Sequence, residues 1–248
     1  MKIGFKIILT FLFVTFTINC DSENETPKVT TNILPSVTTP PPLVSKTINY
    51  LALGDSYTIG QSVCKTCNYP EQLQRTLSNK HPTTSFLLKI IAKTGWTTSN
   101  LLSAIKTENL NANYDLVTLL IGVNNQFQNT SFSVYEKEFP ELVNKAITLA
   151  KEKKSNVIVI SIPDYAYTPF GQSPMYDNKK ITAEIDKYNA FAESYCKDNN
   201  IQFVNITDIS RRGLTNPNLV TQDGLHPSEL AYSLFVERIL AKAKLAIN

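Results

Sequence analysis

The chain has two histidines, His81 and His226. A serine hydrolase needs a base that titrates near neutral pH, and histidine supplies one without large tuning. His226 lies in Asp223-Gly224-Leu225-His226-Pro227. An acid three residues ahead on the same short loop can orient the imidazole, which is the second link of a Ser–His–Asp chain. Taken alone, the stretch also reads as an Asp-Gly turn before a helix that Pro227 can start. His81 stands in Lys80-His81-Pro82, where a helix is expected to end, and reads as a surface residue there. For the nucleophile, Gly54-Asp55-Ser56 closes the apolar run from Ile48 to Leu53. A serine just past a buried strand stands where open α/β sheets place their chemistry. Ser56 or Asp55 alone reads equally well as a helix cap.

These residues need a frame that brings them together. From Ile48 the chain alternates strand-like and helix-like runs. Strands are expected from about 48, 85, 116, 157 and 201. The runs Leu116–Ile121 and Val157–Ile162 are apolar but for Thr118 and Ser161, as strands buried on both faces are. Helices are expected over Tyr69–Lys80, Thr98–Ile105 (capped by Thr97 or Thr98), Ile181–Lys197 and Ser228 to about Ala246. Phe139, Leu142, Val143, Ala146, Ile147 and Ala150 have the spacing of one more. This alternation predicts a five-stranded parallel sheet with helices on both faces. The Pro-, Tyr- and Gly-rich stretch 164–178 is a long connection beyond a strand end, where it can border a pocket.

Read together, Gly54-Asp55-Ser56, Gly95, Gly122-Val123-Asn124 and Asp223-Gly-Leu-His226 occur in that order, each near an expected strand end or helix start. This set resembles the SGNH (GDSL-type) hydrolase family over about residues 48–245. The resemblance implies a flavodoxin-like three-layer α/β/α sandwich. It implies Ser56 as nucleophile, His226 as general base and then acid, and Asp223 as its orienting partner. It also implies an oxyanion hole from the backbone N–H groups of Ser56 and Gly95 and the side-chain amide of Asn124. Fixed donors of this kind stabilise developing negative charge, each worth roughly 10²–10³ in rate. Gly95 suits the role because no Cβ obstructs approach to its N–H. One departure stands out: the family's third block often reads Gly-x-Asn-Asp, and here Asn125 takes the place of the acid. Asp55 is expected to be scaffold, with Asp223 the acid on His226.

Composition narrows the partners. Hydrophobic residues make up 42%, charged residues 18%, and the net charge is +3. Loss of Lys2 and Lys6 with an export signal would leave about +1, which offers no basic surface for nucleic acid. Residues 1–19 read as that signal: a basic start, then an uncharged apolar run from Ile7 to Ile18, too short for the roughly 20 residues of a membrane span. Cys20 sits where a bacterial lipoprotein would carry its lipid, although Thr17-Ile18-Asn19 departs from the usual lipobox. Residues 20–46 are a Thr-, Ser- and Pro-rich tether. The hydrolase domain is expected over 47–248.

Cys64 and Cys67 form a C-x-x-C. No second Cys/His pair is near enough to complete a zinc site, so a short disulfide is expected, with no metal. Cys196 reads as a small buried residue, with pairing to Cys64 or Cys67 a lesser alternative. The expectation is therefore an exported, monomeric serine esterase that needs no cofactor, anchored through a lipid on Cys20, with plain secretion as the alternative. Its substrate would be a short acyl ester, a carbohydrate acetyl ester or a lysophospholipid. Tyr57, Trp96, Tyr165, Tyr167 and Phe170 are expected either to wall the pocket or to pack in the core. Transfer of the acyl group to a sugar hydroxyl, or a non-catalytic binding lipoprotein on the same fold, are the rival readings. A clickable fatty acid fed to the producing cells should label the protein, and Cys20→Ala should abolish the label; label that survives the substitution removes the anchor.

Overall fold

In the computed structural model, residues 44–247 are described, so the expected export signal, Cys20 and most of the expected tether lie outside them. The apolar runs become strands. β1 (Lys46–Gly54) leads through the short helix α1 (Ser56–Ile59) to α2 (Tyr69–Lys80). β2 (Thr84–Ala92), α3 (Thr98–Thr107), β3 (Leu116–Leu120), α4 (Val123–Phe127) and α5 (Phe132–Leu149) follow. The chain ends with β4 (Val157–Ile160), α6 (Asn178–Asp198), β5 (Gln202–Val204), α7 (Thr207–Ser210) and α8 (Glu229–Ile247). All strand pairs are parallel, in the order β2-β1-β3-β4-β5. This is the flavodoxin-like order, with a switch point between β1 and β3.

α2 and α8 pack together against the sheet, while α3, α5 and α6 form the other layer. The central strands carry no solvent face: every residue of β3 and β4 is buried. β2, at the edge, is mostly part-exposed, with only Phe86 and Ile91 buried. Between the sheet and the second helical layer, Tyr135 stacks on Phe139 at 5.1 Å and meets Tyr188 at 4.5 Å. On the α2–α8 side, Tyr50 and Tyr69 both hydrogen-bond the Thr118 hydroxyl, at 3.0 and 3.2 Å. That satisfies three buried hydroxyls deep in the core.

Several boundaries differ from the sequence reading. α5 starts at Phe132, ahead of Phe139, and continues through Pro140. Phe132 and Tyr135 bury against Tyr188 and Phe191 of α6, and this packing outweighs the hydrogen bond lost at the proline. α8 starts at Glu229, after Pro227, because Pro227 is engaged in an antiparallel bridge with Val220 and Ser228 supplies the turn. α1, α4 and α7 were not anticipated; each is a single turn, too short for any periodicity. His81 closes α2 as its C-cap, with its ring 6.4 Å from Phe86 and a buried Nε2, so it is less open than a surface role requires. Cys196 is fully buried and unpaired, and burial pushes its thiol up to about 12.

Gly122 opens α4 at φ +130°, and a Cβ there would meet the Tyr135 ring at 2.7 Å. Gly122→Ala therefore combines backbone strain with overpacking and should cost ~2–4 kcal/mol in urea unfolding.

Candidate active site

The register brings three loops to one level. Gly54 of β1 pairs with Ala92 of β2 and with Leu120 of β3. The residues that follow these strands, Ser56, Gly95 and Asn124, therefore emerge side by side. They line a cleft of about 200 Å³ together with His226. Tyr57, Thr94, Val123, Phe127, Tyr165, Phe170 and Leu225 complete its walls.

Ser56 is the first residue of α1 and is almost fully buried. Asp55 caps that helix: its Oδ1 accepts the Tyr57 N–H at 3.0 Å. The other carboxylate oxygen is buried with no protein partner. Burial is the main cause that pushes Asp55 up to about 7, opposed by the Tyr57 N–H, its own N–H and the nearby Asn124 amide. An acid in this position is scaffold, facing the helix start and not the imidazole.

His226 is held from both sides. Its Nδ1 lies 2.7 Å from Asp223 Oδ2, and its ring packs 5.3 Å from that of Tyr57. Burial alone would raise the Asp223 pKa. Hydrogen bonds from Ser62, the His226 N–H, Thr221 and the His226 ring outweigh it and hold the carboxyl well below its usual range. Asp223 is therefore ionised at neutral pH and can only accept hydrogen bonds. Nδ1 must carry the proton of a neutral ring, which leaves the Nε2 lone pair able to accept one. The loop itself is closed by Thr221 N–H to His226 O at 2.8 Å and Ser228 N–H to Leu219 O at 2.9 Å. Phe170 N–H donates to Gly224 O at 2.9 Å, which ties the cleft wall to this loop.

The oxyanion candidates are fixed differently. Asn124 Nδ2 donates to Trp96 O at 3.0 Å, which spends one of its two N–H donors. Gly95 adopts φ +83°, and a Cβ there would meet nothing within 4 Å. Backbone conformation is thus a reason for glycine at this position, beside the open approach read from the sequence. No acceptor among the described residues takes the Gly95 N–H. Asn125 is buried scaffold: its Oδ1 accepts Thr98 N–H at 3.0 Å and its Nδ2 donates to Thr98 Oγ1 at 2.7 Å. An aspartate could accept but not donate, so the amide satisfies both Thr98 groups.

Of the five aromatic residues singled out, Tyr57, Tyr165 and Phe170 line the cleft, while Trp96 and Tyr167 do not. Phe127 was missed. It is 41% exposed and lies against Tyr165, Phe170 and Tyr176, at 5.8, 6.1 and 6.2 Å. Its position three residues after Asn124, one turn along α4, is the signal that would have found it. Cys64 and Cys67 are joined, with sulfurs 2.08 Å apart, just beyond α1. No three His, Cys, Asp or Glu side chains gather as a metal ion would need among the described residues.

The profile of the GDSL-like lipase/acylhydrolase family matches residues 52–234, nearly all of the domain. The chain belongs to this family. As a GDSL-like acylhydrolase it is an enzyme of ester-bond hydrolysis. Solved structures agree on the fold. A lipolytic G-D-S-L family protein of Veillonella parvula aligns at 18% identity and TM-score 0.60, covering 78% of this chain and 97% of its own. A lipase/acylhydrolase of Enterococcus faecalis aligns at 19% and 0.61, covering 79% and 95%. An acetylxylan esterase of Geobacillus stearothermophilus aligns at 17% and 0.57, covering 79% and 94%. No curated protein matches the sequence.

Asp55 makes stability depend on pH. Its folded pKa is raised, so the folded GDSL hydrolase holds this proton more tightly than the unfolded chain. Its favourable contribution is complete below the unfolded value of 3.8 and is lost as pH rises to about 7. Asp223 acts oppositely: its contribution is present above 3.8 and is lost as pH falls below it. Asp55→Asn should flatten the decline between about pH 4 and pH 7 and gain ~2–4 kcal/mol at pH 8 in urea unfolding. An unchanged slope would show that Asp55 is ionised in the folded protein across that range.

Proposed function

We propose that the protein hydrolyses short acyl oxygen esters through an acyl–Ser56 intermediate. The observation that carries this is the convergence of Ser56, the His226–Asp223 pair, Gly95 and Asn124 on one otherwise apolar cleft. Ser56 Oγ attacks the ester carbonyl while His226 Nε2 takes its proton. The imidazolium so formed is stabilised by Asp223 Oδ2. Negative charge moves to the carbonyl oxygen, within reach of the Ser56 and Gly95 N–H groups and the Asn124 amide. Collapse breaks the ester C–O bond, and His226 returns the proton to the leaving alkoxide. Water, activated by the same nitrogen, then attacks the acyl–Ser56 carbonyl and frees the acid and Ser56.

The cleft favours a short acyl group among the substrate classes. Its volume of about 200 Å³ is below the roughly 300–1,000 Å³ of pockets that bury drug-sized ligands. Val123, Phe127, Tyr165, Phe170 and Leu225 present apolar surface to whatever enters. A two-chain lipid would not be enclosed. The enzyme is read as acting outside the cell, held by Cys20, and the Cys64–Cys67 disulfide supports an oxidising compartment.

The full-length protein should hydrolyse p-nitrophenyl acetate and butyrate, with kcat/KM falling for long acyl chains. Ser56→Ala should lose about 10⁶-fold in kcat and Asn124→Ala about 10²–10³-fold. Folded protein in which a fluorophosphonate fails to label Ser56 would sink the acyl-enzyme mechanism.

A further inference from the structure

Asp223 uses both carboxylate oxygens. Oδ1 accepts from Thr221 Oγ1 at 2.7 Å, Leu225 N–H at 2.8 Å and His226 N–H at 2.9 Å. All three donors belong to its own loop. Oδ2 accepts from His226 Nδ1 at 2.7 Å and from Ser62 Oγ at 2.5 Å. Ser62 lies 161 residues away in sequence, in the connection between α1 and α2. Among the described residues it is the one side chain outside residues 221–226 that hydrogen-bonds Asp223.

The connection that carries Ser62 is braced along its length. Cys64 and Cys67 are joined across it, and Cys67 N–H donates to Cys64 O at 2.9 Å. Asn68 Nδ2 donates to Ile59 O and Lys65 O, at 3.2 and 3.0 Å. Gln72 Nε2 ties Cys67 O to Glu229 O, at 2.7 and 3.1 Å, and so links the connection to α8. The preceding residue, Gln61, accepts from Thr94 Oγ1 at 2.6 Å, next to Gly95. One short segment thus reaches the acid on one side and the Gly95 loop on the other. Ser62 itself sits at φ +66°, a left-handed conformation unfavourable for a residue with a Cβ. Such a conformation persists where its surroundings determine it.

We infer that Ser62, held by the Cys64–Cys67 loop, is a positioning residue that keeps Asp223 Oδ2 on the His226 ring. The inference rests on the Ser–His–Asp mechanism proposed above. Its physical basis is that Asp223 is partly open, at 29% of its side-chain surface. Three donors fix Oδ1, but Oδ2 has only the imidazole and Ser62. Without the hydroxyl, water competes for Oδ2, and the carboxylate can turn away from the imidazole whose proton it must hold. The bond also favours the ionised carboxylate that the imidazolium needs, and Ser62 leads the hydrogen bonds that hold Asp223 low. Ser62 is not part of the cleft wall, so its effect should reach the chemistry without changing substrate binding.

The test uses the full-length enzyme with p-nitrophenyl butyrate. Ser62→Gly removes the hydroxyl yet takes positive φ without strain; Ser62→Ala is the second variant. Each should lower kcat about 5- to 10-fold with KM within about twofold. The downfield proton resonance of His226 Nδ1–H should shift or broaden in both, which a merely structural effect on the loop would not produce. A water-soluble phosphine converts the Cys64–Cys67 disulfide to two thiols and becomes its oxide, with oxygen from water. That treatment should lower kcat of the wild type by a similar factor and leave Ser62→Gly unchanged, because both changes act through one contact. Wild-type kcat and an unmoved resonance in folded Ser62→Gly would overturn the inference. A drop on reduction equal in wild type and Ser62→Gly would overturn the part played by the loop. Failure of the wild type to acylate at Ser56 would overturn the mechanism as well; the two failures are separable, because the first leaves wild-type labelling intact.

Discussion

Parallel pairing of β1 with β2 on one side and β3 on the other is the constraint on which the rest of the site depends. Gly54 lies opposite both Ala92 and Leu120, so three strands end at one level. The chain crosses from one side of β1 to the other between β2 and β3, so the connections part there and leave a crevice. Ser56, Gly95 and Asn124 each follow one of these ends. A one-residue slip in either pairing would turn alternate side chains to the wrong face and displace one member of the set. The fully buried β3 and β4 make such a slip costly, since every residue there is already packed.

The imidazole and its acid come from elsewhere, and the site is completed by hydrogen bonds more than by the sheet. Asp223 gathers its partners within a few residues, and the bridge between Val220 and Pro227 shapes that turn before α8 begins. The two acids near Ser56 illustrate how environment sorts identical side chains. Asp223, surrounded by donors, stays ionised and can support a positive ring. Asp55, buried with one oxygen unpartnered, is pushed towards neutrality and serves as a helix cap. The cost of burying Asp55 is borne where it holds the helix that presents Ser56.

Much of this was legible in the chain. The runs at 48, 116 and 157 are each apolar but for one residue (Asn49, Thr118 and Ser161), and such runs separated by helical spacing have few ways to pack other than as a covered parallel sheet. Ser56, Asn124, Asp223 and His226 were legible for a related reason. Each occurs within two residues of a glycine in a short block at an expected element end, where local turn chemistry is visible. Phe127 was legible only through its spacing from Asn124, because a five-residue helix is too short for periodicity to be read. Trp96 and Tyr167 were read as possible wall residues, but an aromatic side chain declares only that it needs a large contact, not which one. The start of α5 at Phe132 was not legible either, because it rests on the packing of Phe132 and Tyr135 against α6.

The sequence by itself determined the alternating elements, the family and the small set of residues able to do acyl chemistry, because those depend on local spacing and residue type. Tertiary structure alone decided which aromatics wall the cleft and that Ser62 reaches Asp223 across 161 residues. Contacts of that range arise only after the sheet has closed its register and the connections have been packed against one another, and no local pattern encodes them.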